Sequence, residues 1–200
     1  MPFQFNIDYK NISDEQLVFY VTKGREKAFN EIYRRFSGPL FLFFYQRLWQ
    51  NRDRAEDFVQ DLFLKVIEKA EFFDRDRNFK TWIYTIAYNM CKNEYRRNKV
   101  RDIDIRLSEK GLQELKSMDL APVDKSLDLS LFSQRLRLEL DRLDQKYSLT
   151  FILRHEHNLS IKAIAEIMNC PPGTVKSRLF YGTKQLSSRL NMFRPTKLYK

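Results

Sequence analysis

The sequence predicts an all-α protein made of two small helical domains joined by a linker, the second domain a helix-turn-helix. Three observations carry this. Only five glycines occur in 200 residues, and runs of alternating apolar and polar residues are few. Apolar residues recur instead at helical spacing along most of the chain. Between residues 98 and 126 that periodicity weakens, over a length that is long for a loop inside one domain. With 43% hydrophobic residues the chain can build one medium core or two small ones.

The first domain is expected over residues 10–97. Ser13-Asp14-Glu15-Gln16 matches a capping box and starts the first helix. Thr22-Lys23-Gly24 interrupts it, and a second helix runs from Glu26 through Phe29, Ile32, Tyr33 and Phe36. Ser37-Gly38-Pro39 reads as punctuation before a third helix, Leu40 to Trp49, that is apolar on most sides. Polar Gln50-Asn51-Arg52-Asp53 leads into an amphipathic helix with Ala55, Phe58, Val59, Leu62, Phe63, Val66 and Ala70 on one stripe. Its opposite face carries Asp57, Gln60, Asp61, Lys65 and Glu68. After the polar break Phe72–Asn78, a further helix turns Phe79, Ile83, Ile86, Ala87, Met90 and Cys91 inward. Its other faces mix rings with cations: Lys80, Trp82, Tyr84, Tyr88, Lys92, Tyr95, Arg96 and Arg97. Rings that stack on bases, interleaved with cations that hold phosphates, suit single-stranded nucleic acid. The same rings at helical spacing also suit an ordinary core, and the acidic face an ordinary solvated helix.

Residues 98–126 form the expected linker, in which Ile103, Ile105 and Leu107 alternate briefly, Gly111 breaks and Ala121-Pro122-Val123 ends a short helix. The second domain spans 127–192. Leu131, Leu136, Leu138, Leu140 and Leu143 resume helical spacing, followed by Leu149, Ile152 and Leu153. Ser160 caps a short helix with Ile161, Ile164, Ala165 and Met168 inward, and Asn169 suits the left-handed stop. Pro172 suits a first helical position. The helix that follows turns Val175, Leu179, Gly182, Leu186 and Leu190 inward and leaves Lys176, Ser177, Arg178, Phe180, Tyr181 and Lys184 outward. A short helix, a tight turn and a helix that is basic near its start make a DNA-binding helix-turn-helix, for which a plain helical hairpin is the simpler alternative.

Formal net charge is +10 with a pI near 9.6, which favours a polyanionic partner, nucleic acid before an acidic membrane surface. No apolar run is long enough to span a bilayer; the densest, Pro39–Tyr45, reads as buried helix. No secretion signal is visible at the start, and Cys91 and Cys170 read as small buried residues in a reducing cytoplasm. His155 and His157, two apart on a helix, point to different faces, which argues against a metal site. Neither a Gly-rich phosphate loop, a nucleophile motif nor a carboxylate cluster calls for catalysis or a cofactor.

Three segments, in order, resemble the sigma-70 family of bacterial RNA polymerase sigma factors, in its two-domain extracytoplasmic-function group. Ala55–Lys65 resembles the family's polymerase-docking helix. Phe79–Asn89, closed by Tyr95-Arg96-Arg97, resembles the segment that melts promoters and reads the minus-ten element. Cys170–Phe180 resembles the helix that reads the minus-thirty-five element. The resemblance implies that Asp57, Gln60, Asp61 and Leu64 dock on the largest polymerase subunits. It implies that Phe72, Phe73, Asn78, Phe79, Lys80, Trp82, Tyr84, Asn89, Lys92, Arg96 and Arg97 serve the minus-ten strand, with a base flipped into the Phe72–Phe79 loop. Thr174, Lys176, Ser177, Arg178, Phe180, Tyr181 and Lys184 would serve the upstream duplex. An anti-sigma factor is the further partner implied, with no direct membrane insertion of this chain. The sequence departs from the family pattern at Tyr88, Tyr181 and Thr183, where basic residues are common, at Asn93, where an acidic one is usual, and at Leu143-Asp144, where Leu-Pro is. A stand-alone helix-turn-helix regulator is the alternative; it would bind duplex DNA by itself.

Overall fold

The computed structural model describes residues 7–106 and 127–193. Among them every regular element is helical. The chain divides into two compact units, Met1–Ser108 and Glu109–Lys200.

In the first unit α1 is Asp14–Thr22, α2 Glu26–Arg47, α3 Arg52–Lys69 and α4 Phe79–Arg106, with a 3-10 turn at Ala70–Phe72 before α4. Ser13 starts α1 through its Oγ, which accepts the Gln16 N–H at 3.3 Å. Gly24, at φ 68, turns the chain into α2, a left-handed position that suits glycine. The expected break at Ser37-Gly38-Pro39 does not occur, because α2 runs through Pro39 as one helix. The buried positions show why: Ala28, Glu31, Ile32, Phe36, Leu40, Phe43, Phe44 and Arg47 keep helical phase across the proline. Burial of that stripe against α1, α3 and α4 outweighs the roughly 3 kcal/mol that an internal proline costs a helix. Asn51 caps α3 by accepting the Arg54 N–H at 2.9 Å. The α3 stripe then closes on α2 as expected, with Ala55, Val59, Leu62, Phe63 and Val66 buried.

Helix α4 extends into the segment expected as linker. Its backbone stays helical to Arg106, since no glycine or proline interrupts residues 79–106. The rest of that segment, 107–126, lies outside the described residues, including the break expected at Gly111 and the end of a short helix at Pro122.

Two buried carboxylates tie the first unit together. Glu31 on α2 accepts from Arg34 at 2.6 Å and from Arg35 at 2.7 Å. Arg35 also reaches Asp14 at 2.7 Å and donates to the carbonyls of Tyr9, Lys10 and Ile12, so one guanidinium pins the N-terminal segment to α2. Glu94 on α4 pairs with Arg54 on α3, and beside it the Tyr95 hydroxyl donates to the Arg47 carbonyl of α2. Burial pushes the Cys91 thiol up to about 12, which leaves it an inert core group.

In the second unit α5 is Leu127–Asp141, α6 Gln145–His155, α7 Ile161–Ile167 and α8 Pro172–Arg189, closed by a 3-10 turn at Asn191–Phe193. Leu140, Leu143, Ile152, Leu186 and Leu190 form a core flanked by Phe132, Leu136, Tyr147, Phe151 and Phe193. The helical spacing of the leucines is met by α5, which divides them between two faces. Leu136, Leu140 and Leu143 share the inner face, whereas Leu131 and Leu138 are exposed on the other side. Buried Glu139 gathers Arg135 and Arg142, each at 3.0 Å, and Arg189 of α8 at 3.6 Å. Asp144 caps α6 by accepting the Lys146 N–H at 2.9 Å, so the acid in place of proline has a structural use. The capped turn holds its carboxyl below the usual range, through the Lys146 backbone first.

The Glu31 pair predicts an acid dependence. The hydrogen bond from Arg34, joined by that from Arg35, outweighs desolvation and lowers the Glu31 carboxyl from 4.5 to about 2. A depressed folded-state value means that this stabilisation is present above about 4.5 and is lost as pH falls towards about 2. Glu31→Gln is expected to be less stable than the parent at pH 7, with the gap closing through that window. Urea unfolding at a series of pH values checks it; a gap that stays constant to pH 2 would remove the pair from the stability account.

Candidate nucleic-acid interface

Along α3, Asp57, Gln60, Asp61 and Leu64 are turned away from the core together, all exposed and at helical spacing on one side. Leu64 is 58% exposed on a helix whose other face is fully packed. Ile67, one turn further on, is exposed as well and widens the apolar part of this stripe. Its three-residue spacing from Leu64 is the signal in the sequence that places it on this stripe.

The segment after α3 sorts its rings sharply. Phe72 is 84% exposed on the 3-10 turn. Its neighbour Phe73 is buried, with its ring 5.6 Å from Phe79 and 5.1 Å from Trp82. Phe79 in turn packs edge-on to Phe36 of α2 at 5.3 Å, and Tyr84 edge-on to Phe43 at 5.7 Å. This corrects three of the residues expected at the minus-ten strand. Phe73, Phe79 and Tyr84 are core residues with no face to offer a base, since two-sided packing leaves their rings inaccessible. Asn78 is also partly committed: its Oδ1 accepts the Thr81 N–H at 2.9 Å and the Thr81 hydroxyl at 3.1 Å, which caps α4. The Phe79 N–H donates to Glu15 of α1 at 3.0 Å, and the Arg75 guanidinium lies 3.9 Å from the Phe19 ring centre. The loop between Phe73 and Phe79 is therefore held against α1 from both ends.

Beyond the cap, half-buried Trp82 and exposed Asn89, Lys92 and Arg96 fall on one face of α4, with exposed Arg97 beside them and half-buried Tyr88 at its edge. Half-buried Lys80 lies off this face, near the start of the helix.

The second unit shows a helix-turn-helix. Ser160 caps α7 by accepting the Ala163 N–H at 3.1 Å, Asn169 takes φ 47 at the helix stop, and Pro172 opens α8. Buried Val175, Gly182 and Leu186 face the core. Exposed Lys176, Ser177, Phe180, Tyr181 and Lys184 share the outer face of α8. Its 18 residues include four cations, Lys176, Arg178, Lys184 and Arg189, and no Asp or Glu. Arg178 departs from expectation. Half-buried, it turns back on the inter-helix turn, with Nη1 3.9 Å from Met168 Sδ and 3.6 Å from Cys170 Sγ. Half-buried Thr174 sits in the first turn, where its carbonyl accepts the Ser177 hydroxyl at 3.0 Å. His155 is exposed and packs on Phe151 at 4.4 Å while His157 is buried past the helix end, so the two rings occupy different environments.

A helical unit with a ring-and-cation face and a helix-turn-helix with an acid-free recognition helix define a two-module DNA-binding protein. Family models described as Sigma-70 region 2 and Sigma-70, region 4 match residues 33–101 and 133–186. The chain is 32% identical over 190 residues to an ECF RNA polymerase sigma-E factor of Haemophilus influenzae, covering 90% of this chain and 97% of that one. It is 31% identical over 176 residues to the ECF RNA polymerase sigma factor SigW of Bacillus subtilis, covering 85% and 92%. The sigma factor RpoE of Bartonella quintana, solved in complex with the anti-sigma factor NepR, matches with a TM-score of 0.67 at 27% identity over 84% of this chain and 99% of that one. The chain belongs to the sigma-70 family of RNA polymerase sigma factors, in the extracytoplasmic-function group. It directs core RNA polymerase to promoters. Nothing in the comparisons indicates an enzymatic activity, and no helix among the described residues is long and apolar enough to cross a membrane.

The cap and the exposed face make separable predictions. Asn78→Ala removes the acceptor that starts α4 and is expected to lower stability by about 1 kcal/mol. Asn89→Ala, outward on the same helix, is expected to stay within about 0.5 kcal/mol of the parent. Paired urea titrations check both, and equal losses would deny the cap.

Proposed function

We propose that this sigma factor divides promoter recognition among three surfaces. The stripe Asp57, Gln60, Asp61, Leu64, with Ile67, docks on a largest subunit of core polymerase. Exposed Phe72, the loop to Asn78, and the α4 face Trp82, Asn89, Lys92, Arg96 and Arg97 take the opened minus-ten strand, with Lys80 near the start of α4 available to a phosphate. The α8 face enters the upstream duplex, where Lys176 and Lys184 hold phosphates and Ser177, Phe180 and Tyr181 meet base edges. The observation that carries this reading is the sorting of side chains. Each surface lies outside a closed core, and Phe72 stands out in water while Phe73 beside it is buried.

The chemistry is binding, without a catalytic step. A flipped base costs a few kcal/mol of unstacking, which exposed rings and cations recover by stacking and phosphate contact. The protein works in the cytoplasm, where its polymerase and promoters are, and is itself held in check by an anti-sigma factor. The Bartonella quintana relative, solved with such a factor, supports that partner.

Two experiments test the division. Asp61→Lys and Gln60→Ala are expected to capture less core polymerase in pull-downs while unfolding like the parent, since surface changes rarely exceed about 0.5 kcal/mol. Undiminished capture by both would reduce the stripe to a solvated face. In the second, Lys176→Ala and Phe72→Ala are compared in transcription with excess core polymerase. One template is a full duplex promoter; the other is a pre-opened bubble lacking its upstream duplex. Lys176→Ala should lower only the first, several-fold or more. Phe72→Ala should lower the bubble template too. Equal loss by both variants on both templates would replace three surfaces with one.

A further inference from the structure

On the outer face of α8, Phe180 is 63% and Tyr181 52% exposed. Their ring centres lie 5.4 Å apart with planes at 77°, so the two rings form one edge-to-face apolar ledge. Lys176 and Ser177 flank it on the N-terminal side and Lys184 on the C-terminal side, all exposed. A phenyl ring has no hydrogen bond to give a base edge. In the major groove the apolar feature that tells one base pair from another is the thymine C5-methyl group. The flanking cations, on a helix without any acid, commit the ledge to a polyanion rather than to an apolar protein surface.

We infer that Phe180 and Tyr181 read thymine methyl groups, so the upstream element used by this chain is specified partly by thymines at neighbouring positions. The inference rests on the assignment of α8 to the upstream duplex. Tyr181 then contributes methyl contact where a basic side chain would contribute a phosphate contact. Recognition should be correspondingly less salt-dependent and more sensitive to a single methyl.

The test needs no protein variant to begin. A promoter is recovered by transcribing genomic fragments with the reconstituted holoenzyme. Each thymine of its upstream element is then replaced singly by deoxyuridine, which deletes only the methyl group. Removing one buried methyl should lower holoenzyme affinity about fourfold at one or more positions. Phe180→Ala and Tyr181→Ala should each abolish that sensitivity at the position their ring covers. Lys176→Ala should lower affinity for thymine and uridine promoters alike and leave their ratio unchanged. Tyr181→Arg should lose the methyl ratio and steepen the fall of log affinity with log salt by about 0.9, the increment of one phosphate contact. If the parent tolerates uridine at every position while Lys176→Ala still weakens binding, methyl reading is overturned and α8 remains the upstream reader. If Lys176→Ala also changes nothing, the assignment of α8 itself falls, and the ledge is a surface for protein.

Discussion

Helix α2 buries Ala28, Ile32, Phe36, Leu40, Phe43 and Phe44 along one unbroken stripe, and the surfaces proposed for binding in the first unit lie on the helices that cover it. Helices α1, α3 and α4 each spend one face on α2, so their remaining faces become the working ones. On α3 this leaves an acidic and apolar stripe, on α4 a ring-and-cation face. A kink at Pro39 would throw Leu40, Phe43 and Phe44 out of phase with Ile32 and Phe36 and take their α3 and α4 partners with them. The apolar area held by that continuous face is what makes the proline tolerable.

The same economy explains why Phe72 and Phe73 differ. Phe73 completes an aromatic cluster with Phe36, Phe79 and Trp82. In that cluster, burial and edge-to-face contact each favour the folded position. With Phe73 turned inward, its neighbour Phe72 points to the opposite side and stands in solvent. The loop that follows is short, capped by Asn78, and tied to α1 through Glu15 and Arg75. In the proposed reading, a base entering beside Phe72 would meet a rim whose shape is set before binding, with the entropy of ordering that rim met in folding rather than in promoter opening.

Much of this was legible because local chemistry leaves few alternatives. Ser13, Ser160, Asn169 and Pro172 each perform the capping or turn role that their side chains suit, and the α3 stripe keeps one period throughout. What failed shares a different cause. Tyr84 falls with the ring-and-cation face because ring type alone does not say which side of a helix the core takes, whereas spacing turns Phe79 inward and only the resemblance sends it to the minus-ten strand. Arg178 has the charge of a phosphate ligand, yet its reach lets it fold back on Cys170, which only tertiary distance reveals. Asn78 offers the same amide to a base or to a helix start, and the nearer Thr81 N–H holds its oxygen. Leu131 and Leu138 count towards the helical spacing of α5 without saying which leucines face the core, because leucines on two faces both satisfy a loose helical count. The sigma-70 resemblance fixed the order of the modules but could not choose among these rotations.

Charge is sorted by depth as well as by surface. The buried carboxylates Glu31, Glu94 and Glu139 are each matched by arginines and so add little to the outer field. Exposed cations gather on α4 and α8, while the outward acids of α3 present the opposite sign. Beyond roughly 8 Å salt screens such fields, so they govern encounter and general affinity for DNA, not the choice of sequence. Choice must come from contacts that vanish within a few ångströms, and the surfaces proposed above offer them: stacking at Phe72, base edges at Asn89 and Ser177, and apolar contact at Phe180 and Tyr181. A recognition helix that places rings between its lysines keeps long-range attraction for DNA while entrusting discrimination to short-range packing. Its specificity should therefore outlast changes in ionic strength that weaken its overall affinity.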